Sequence, residues 1–288
     1  MITEETIKNT VVELLKRAVT KLPPDIEDAL NKAYQNETSD VAKMQLKAIL
    51  DNIALAGETL TPMCQDTGVH IFYVTVGNVK TGNIEKAIRD GVKEATETVP
   101  LRPNAVHPLT RKNPGTNLGQ NMPYINYSLS DAEYLEIQVM PKGAGSENMS
   151  QLAMLNPAHG VKGIKQFVLD TLLHAGSKPC PPVILGVGIG GSADISMKLA
   201  KKALLRPVTT RHPEKQIADL EEELLETLNE TGIGPMGLGG KTTVLGVNIE
   251  YAACHTASHP VAVNIQCWAA RRASAKIYED KVEYGWFA

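Results

Sequence analysis

Three helix-period segments in succession, then a chain that alternates strands with helices, most constrain what this sequence can fold into. Residues 4–22 carry Ile7, Val11, Leu14, Leu15, Ala18 and Val19 on one helical face, the spacing of an amphipathic helix. Pro23-Pro24 ends it, because proline cannot continue a helix interior. A second helix is predicted at 25–35, and a third runs from the N-cap candidates Ser39-Asp40 to about Ala56. The period then changes. Residues 69–76 are β-branched and aromatic and predict a strand. A helix follows at 83–99, then an irregular stretch at 101–122. Segments 124–129 and 134–140 predict an antiparallel pair turning at Ser130-Asp131. Helices are predicted at 148–156 and 161–175, the second stopped by Gly176, and a buried strand at 183–187 leads into a helix at 193–205. Residues 212–231 form a charged helix whose Glu221-Glu222-Glu223 run reads as a solvated face, and strands at 242–250 and 260–267 complete the pattern. The chain shows no internal repeat and no linker. The expected fold class is mixed α/β (α+β), a helical N-terminal part of about residues 1–60 packed on a mixed β-sheet body, in one domain spanning 1–288.

Charge and composition remove several function classes. A net charge of −3 invites neither nucleic acid nor an anionic membrane surface. No apolar run approaches the roughly 20 residues of a membrane helix. The polar, acidic start Met1-Ile2-Thr3-Glu4-Glu5-Thr6 is unlike a signal peptide. Four cysteines far apart in 288 residues do not make a disulfide scaffold and fit metal binding or catalysis in a reducing cytoplasm.

Several motifs imitate well-known sites. Gly186-Val187-Gly188-Ile189-Gly190-Gly191 satisfies the dinucleotide fingerprint. The acidic residue expected about 20 positions later is missing. Those glycines instead suit close approach of backbone to a cluster or substrate. Gly237-Leu238-Gly239-Gly240-Lys241-Thr242 imitates a P-loop, but Pro235 stands where the pattern wants its first glycine. His255 and His259 are spaced as a zinc-protease pair without the glutamate, and Pro260 breaks any helix there. Cys254 reads as a small buried thiol, and His70, His159, His174 and Trp286 as packing or surface residues.

The cysteines carry the chemistry. Cys64 stands in Pro62-Met63-Cys64-Gln65-Asp66-Thr67-Gly68, Cys180 in Lys178-Pro179-Cys180-Pro181-Pro182, and Cys267 in Val263-Asn264-Ile265-Gln266-Cys267-Trp268. A soft ligand followed by an amide and a carboxylate points to metal-assisted acid/base work. From the residues alone, three ordinary buried thiols remain an equal alternative. Asp66-Thr67-Gly68 also suits an Asx turn, a role that can coexist with catalysis.

Taken together, these motifs resemble the alpha subunit of two-subunit, iron–sulfur class I fumarate hydratases and the related L-tartrate dehydratases. The resemblance covers essentially the whole chain. Besides the Cys64 motif it rests on Lys142-Gly143-Ala144-Gly145-Ser146-Glu147-Asn148, Gly188-Ile189-Gly190-Gly191-Ser192-Ala193-Asp194, Thr231-Gly232-Ile233-Gly234, Gly237-Leu238-Gly239-Gly240-Lys241-Thr242-Thr243 and His255-Thr256-Ala257-Ser258. It implies an Fe–S hydro-lyase alpha-type domain with a [4Fe–4S] cluster held by Cys64, Cys180 and Cys267. Three thiolates leave one iron open, a Lewis acid for a substrate hydroxyl and carboxylate. The implied reaction is reversible hydration of fumarate to L-malate, with L-tartrate as the alternative substrate and a cluster-free nucleotide-binding subunit as a further one. Asp66 is implied as acid/base and His255, twelve residues before Cys267, as substrate positioner or proton relay. Gln65, Arg102 and the backbone of Gly143 and Gly145 are implied substrate contacts, Lys142 is a turn or a contact, and Arg271 or Arg272 offsets the cluster's charge. Single-chain relatives continue into a further domain that supplies a threonine, a lysine and arginines. The expected partner is therefore a beta subunit, with a homodimer inside an alpha2beta2 assembly.

Overall fold

The computed structural model describes residues 1–287. In chain order the helices are α1 (Glu4–Thr20), α2 (Pro24–Asn36), α3 (Asp40–Thr59), α4 (Ile84–Thr98), α5 (Ala144–Glu147), α6 (Gly160–Ala175), α7 (Ala193–Ala203) and α8 (Lys215–Asn229). The strands are β1 (Val69–Val76), β2 (Tyr124–Leu129), β3 (Leu135–Lys142), β4 (Gln151–Leu155), β5 (Val183–Gly190), β6 (Val244–Ala252), β7 (His259–Gln266), β8 (Ala273–Ile277) and β9 (Val282–Gly285). The chain divides into two compact units. The first comprises Met1–Pro23, Asn52–Gly143 and Arg271–Phe287; the second comprises Pro24–Asp51 and Ala144–Ala270.

The first unit is a five-stranded sheet, β2-β1-β3-β8-β9, with α1 and α4 on one face. Thr3 caps α1, its hydroxyl accepting from the Thr6 N–H at 3.1 Å, and all six predicted apolar positions are buried. Asn83 caps α4 in the same way, accepting from Lys86 N–H at 2.9 Å. Gly91 lets the two helices close, since a Cβ there would lie 2.8 Å from Val11 Cβ. Phe72, Val74, Leu135, Ile137, Val139, Ala273 and Ala275 supply the sheet side of this core.

The predicted hairpin between β2 and β3 does not form. β1 lies between them, parallel to β2 and antiparallel to β3. The reason is the connection: α4 and the 101–122 stretch make a crossover long enough for parallel pairing. β1, with Ile71, Phe72 and Val74 buried, therefore takes both neighbours.

The second unit is a four-stranded sheet, β4-β7-β5-β6, with β5 and β6 parallel and β7 antiparallel to β4 and β5. α6 and α8 share a core with the sheet through Val168, Leu172, Leu185, Val187, Leu224, Leu228 and Val263. Three expectations fail here. The helix predicted at 148–156 is the one-turn α5 followed by strand β4, whose residues alternate in exposure and pair with β7. The charged helix is shorter, and Glu221 is fully buried rather than solvated. It accepts from the guanidinium of Arg206 and from the backbone N–H of His212 (3.0 Å) and Ile249 (2.7 Å). Nor do Gly186 and Gly188 of the fingerprint leave room for a ligand. A Cβ on Gly186 would lie 2.0 Å from the Ala200 carbonyl oxygen, and one on Gly188 1.9 Å from that of Ser196. Their bare backbone is what lets α7 seat on β5. β8 and β9 lie beyond the last strand that the sequence pattern predicts. No helix is long and apolar enough to cross a membrane among the described residues.

Candidate active site

In the first unit, Cys64, Gln65 and Asp66 occupy the loop ahead of β1, at the end of the sheet where β3 finishes at Lys142 and β8 is about to start. Antiparallel pairing of Val69 with Lys142 puts Gly143 beside that loop. The loop is fixed from several sides. Asn52 Nδ2 donates to the Met63 carbonyl at 2.8 Å, and Met63 N–H to the Val19 carbonyl at 3.0 Å. Asp66 Oδ1 accepts from the Gly68 N–H at 2.9 Å, the predicted Asx turn, and from Asn104 Nδ2 at 3.2 Å. Gly68 adopts a φ of +83°, and a Cβ there would lie 2.7 Å from Lys142 N, so only glycine fits.

Asp66 is half-buried and Gln65 exposed. Arg102 is tied to the same loop through its backbone: its N–H donates to Thr67 Oγ1 at 3.0 Å, while its side chain is exposed. A Cβ on Gly143 would stand 3.2 Å from Asp66 Oδ2 and 3.3 Å from Arg271 Nη2. The carboxylate and a guanidinium thus flank one glycine. Arg271 Nη1 also donates to the Asp66 carbonyl at 2.6 Å, so this arginine meets the loop. Lys142, Arg271 and Arg272 are all buried at this end. Sequence reasoning missed Thr67 and Asn104. Their only signal was proximity in sequence to Asp66 and Arg102.

In the second unit, antiparallel pairing of Ile184 with Gln266 brings the start of β5 and the end of β7 together. That places Cys180 and Cys267 at one end of the sheet, where the Trp268 N–H meets the Cys180 carbonyl at 3.4 Å. Both thiols are half-buried, as is Cys64 in its own unit. Cys180 adopts a left-handed φ of +55°, an unusual conformation for a residue with a side chain. Gly145, in α5, is exposed, and a Cβ on it would meet only the Lys178 carbonyl at 3.4 Å.

His255 is elsewhere. It lies exposed in the β6–β7 turn, its Nδ1 accepting from the Ala257 N–H at 3.1 Å. The eight residues of β7 separate that turn from the Cys267 end by about 26 Å. Cys254, expected to be buried, is exposed there and donates to the Ser258 carbonyl at 3.3 Å. A cavity of about 380 Å³ at the same end, lined by Ile164, Ile189, Leu220, Tyr251 and Cys254 among others, contains none of the expected site residues.

The donor set can be tested against an iron–sulfur cluster. Thiolates are the ligands such clusters take, and the three cysteines sit half-buried at strand ends, accessible to a group larger than a proton. Among the described residues no three His, Cys, Asp or Glu side chains form a single-ion site. Each thiolate of a cubane binds its own iron, so the ligand set such a cluster needs is three thiolates rather than a single-ion cage. In donor chemistry the residues fit.

A family model described as fumarate hydratase (Fumerase) matches residues 8–276. The chain is 55% identical over 280 residues to a protein of Methanocaldococcus jannaschii provisionally named L(+)-tartrate dehydratase subunit alpha, covering 95% of this chain and 98% of that one. It is 38% identical over 264 residues to the L(+)-tartrate dehydratase subunit alpha of Escherichia coli K12, covering 91% and 87%.

Proposed function

The chain belongs to the class I fumarate hydratase family of hydro-lyases, and from that premise we propose that it is the alpha subunit of an iron–sulfur enzyme that dehydrates L-tartrate. The observation that carries the substrate is the 55% identity across nearly the full length of both chains. Fumarate and L-malate form the second reading, favoured by the description of the family model. The two substrates differ by one hydroxyl, and a site built to hydrogen-bond that group discriminates strongly. A beta subunit completes the enzyme in this proposal, within an alpha2beta2 assembly.

Cys64, Cys180 and Cys267 would hold the [4Fe–4S] cluster. When bound, it supplies a Lewis acid that makes the substrate hydroxyl a better leaving group. The rest falls to this chain. The Asp66 carboxylate, oriented through Oδ1 by Gly68 and Asn104 with Oδ2 beside Gly143, exchanges a proton with the substrate carbon. Absence of a side chain at Gly143 leaves room in front of that carboxylate. Arg102, its backbone pinned by Thr67, offers its guanidinium fork to a substrate carboxylate, and exposed Gln65 offers an amide. Exposed Gly145 can present its backbone N–H. Since β7 holds His255 about 26 Å from the cysteine end of its unit, a part for it in the reaction requires a site on another chain.

The test is anaerobic co-expression with the beta subunit, reconstitution, and assay of iron, sulfide and turnover. We expect about four irons and four sulfides per alpha chain, loss of both in Cys64→Ser, Cys180→Ser and Cys267→Ser, and kcat/KM for L-tartrate above that for L-malate. A folded complex without iron sinks the cluster. Faster turnover of L-malate moves the substrate to the second reading.

A further inference from the structure

Arg271 is among the largest fully buried side chains in the protein, 1% exposed. Burying a guanidinium is costly unless its hydrogen bonds and charge are used. Arg271 stands two residues before Ala273, in phase with the inward-facing Ala273 and Ala275 of β8. Ala273 pairs with Val139 on β3, and two residues further along β3 Pro141 pairs with His70 of β1. His70, Pro141 and Arg271 therefore continue one row across the sheet beyond the core. Proline adds no hydrogen bond there. His70 is fully buried, and neither ring nitrogen has a hydrogen-bond partner among the described residues. Burial, with the Arg271 charge second, holds its pKa down to about 4, so the imidazole is neutral and takes up none of the guanidinium's charge. Arg271 Nε has no partner either. What the guanidinium does engage is Asp66: Nη1 donates to its carbonyl at 2.6 Å, and Nη2, like Asp66 Oδ2, stands just over 3 Å from where a Gly143 Cβ would be.

We propose that Arg271 is a positioning residue for Asp66: by clamping the Asp66 carbonyl it fixes the 64–68 loop and thereby aims the carboxylate, without itself touching substrate. A charge-assisted bond to a carbonyl is stronger and shorter than a neutral one, and it acts on the same residue whose side chain closes the Asx turn. Asp66 is thus held through its backbone as well as its side chain, which restricts rotation of the carboxylate about the loop. The inference rests on the reading of Asp66 as the proton-handling group.

The experiment uses the assembled alpha–beta complex with Arg271→Gln, Arg271→Lys and Asp66→Asn, singly and combined. Arg271→Gln is expected to lower kcat by about 10- to 100-fold, with KM within about threefold. Arg271→Lys, which keeps a cationic donor, recovers part of the loss. In the Asp66→Asn background Arg271→Gln causes no further loss, because its effect runs through that carboxylate. Equal fold-losses in both backgrounds would overturn the proposal. Hydrogen exchange at the Gly68 amide gives a readout that needs no activity: it is expected to accelerate at least about tenfold in Arg271→Gln while the β1 and β3 amides stay protected. Unchanged Gly68 exchange also overturns the proposal. Should the wild-type complex turn over no hydroxy diacid, the functional reading fails on its own and the exchange result still decides this one. If Arg271→Gln does not fold, Arg271→Lys carries the same cycle and the same exchange measurement.

Discussion

Gly188→Ala separates two explanations of a glycine run that satisfies a nucleotide fingerprint. Its Cβ would lie 1.9 Å from the Ser196 carbonyl oxygen and 2.6 Å from Ala200 N, against 3.4 Å for an ordinary contact, so α7 would have to withdraw by about 1.5 Å. α7 is held to the sheet by Ser196, Ala200 and Ala203, all buried. Interiors do not stretch to absorb such a shift, and a gap of that width forfeits much of the dispersion contact along the helix. The cost belongs at the upper end of overpacking effects, about 3 kcal/mol. Urea unfolding followed by circular dichroism measures it. Gly145→Ala is the comparison, since its Cβ meets one atom at 3.4 Å, and it should stay within about 0.5 kcal/mol of wild type. If Gly188→Ala unfolds at the wild-type midpoint, the glycine is not there to seat α7, and a ligand explanation returns.

Three further outcomes are expected. Gly143→Ala should leave stability within about 1 kcal/mol, yet lower kcat about tenfold by displacing Asp66 Oδ2 a few tenths of an ångström; unchanged kcat with bound cluster would refute the placement of that carboxylate. Glu221→Ala removes the acceptor shared by Arg206 and the His212 and Ile249 N–H groups, leaving Arg206 with Glu250, and should cost about 3 kcal/mol in denaturant unfolding; a loss below about 1 kcal/mol would show the buried network to be dispensable. His70 has a folded pKa lowered from 6.5 to about 4. Above pH 6.5 both states are neutral and stability is flat; as pH falls from 6.5 towards 4 only the unfolded chain binds the proton, and about 3 kcal/mol is lost. His70→Gln should flatten that slope in unfolding curves at pH 7, 6 and 5, and a slope equal to wild type would remove His70 as its source.

The sequence by itself determined what is local. Helical periodicity placed α1, α3, α4 and α6 to within a few residues, and β-branched composition placed β1 on its observed bounds. Asp66-Thr67-Gly68 specified its own turn, because an Asx bond spans two residues and needs no other part of the chain. The motif order was enough to indicate the family. What depended on distant partners had to wait for the tertiary structure. β2 pairs with β1 rather than β3 because the crossover, not the intervening turn, decides strand order. Residues 151–155 become a strand because β7 offers a ladder to an otherwise ambiguous segment, and Glu221 is buried because Arg206 and two backbone N–H groups meet it there. The same limit applied at the candidate site. Cys180 and Cys267, separated by 86 intervening residues, meet at one sheet end through antiparallel pairing, while His255, much nearer Cys267 in sequence, is carried to the other end by β7. Arg271 and Arg272 are equivalent as letters; only the register of β8 against β3 and the position of the 64–68 loop give Arg271 the Asp66 carbonyl. Spacing along a chain fixes local geometry, and which residues share a site is set by the register of the strands that carry them.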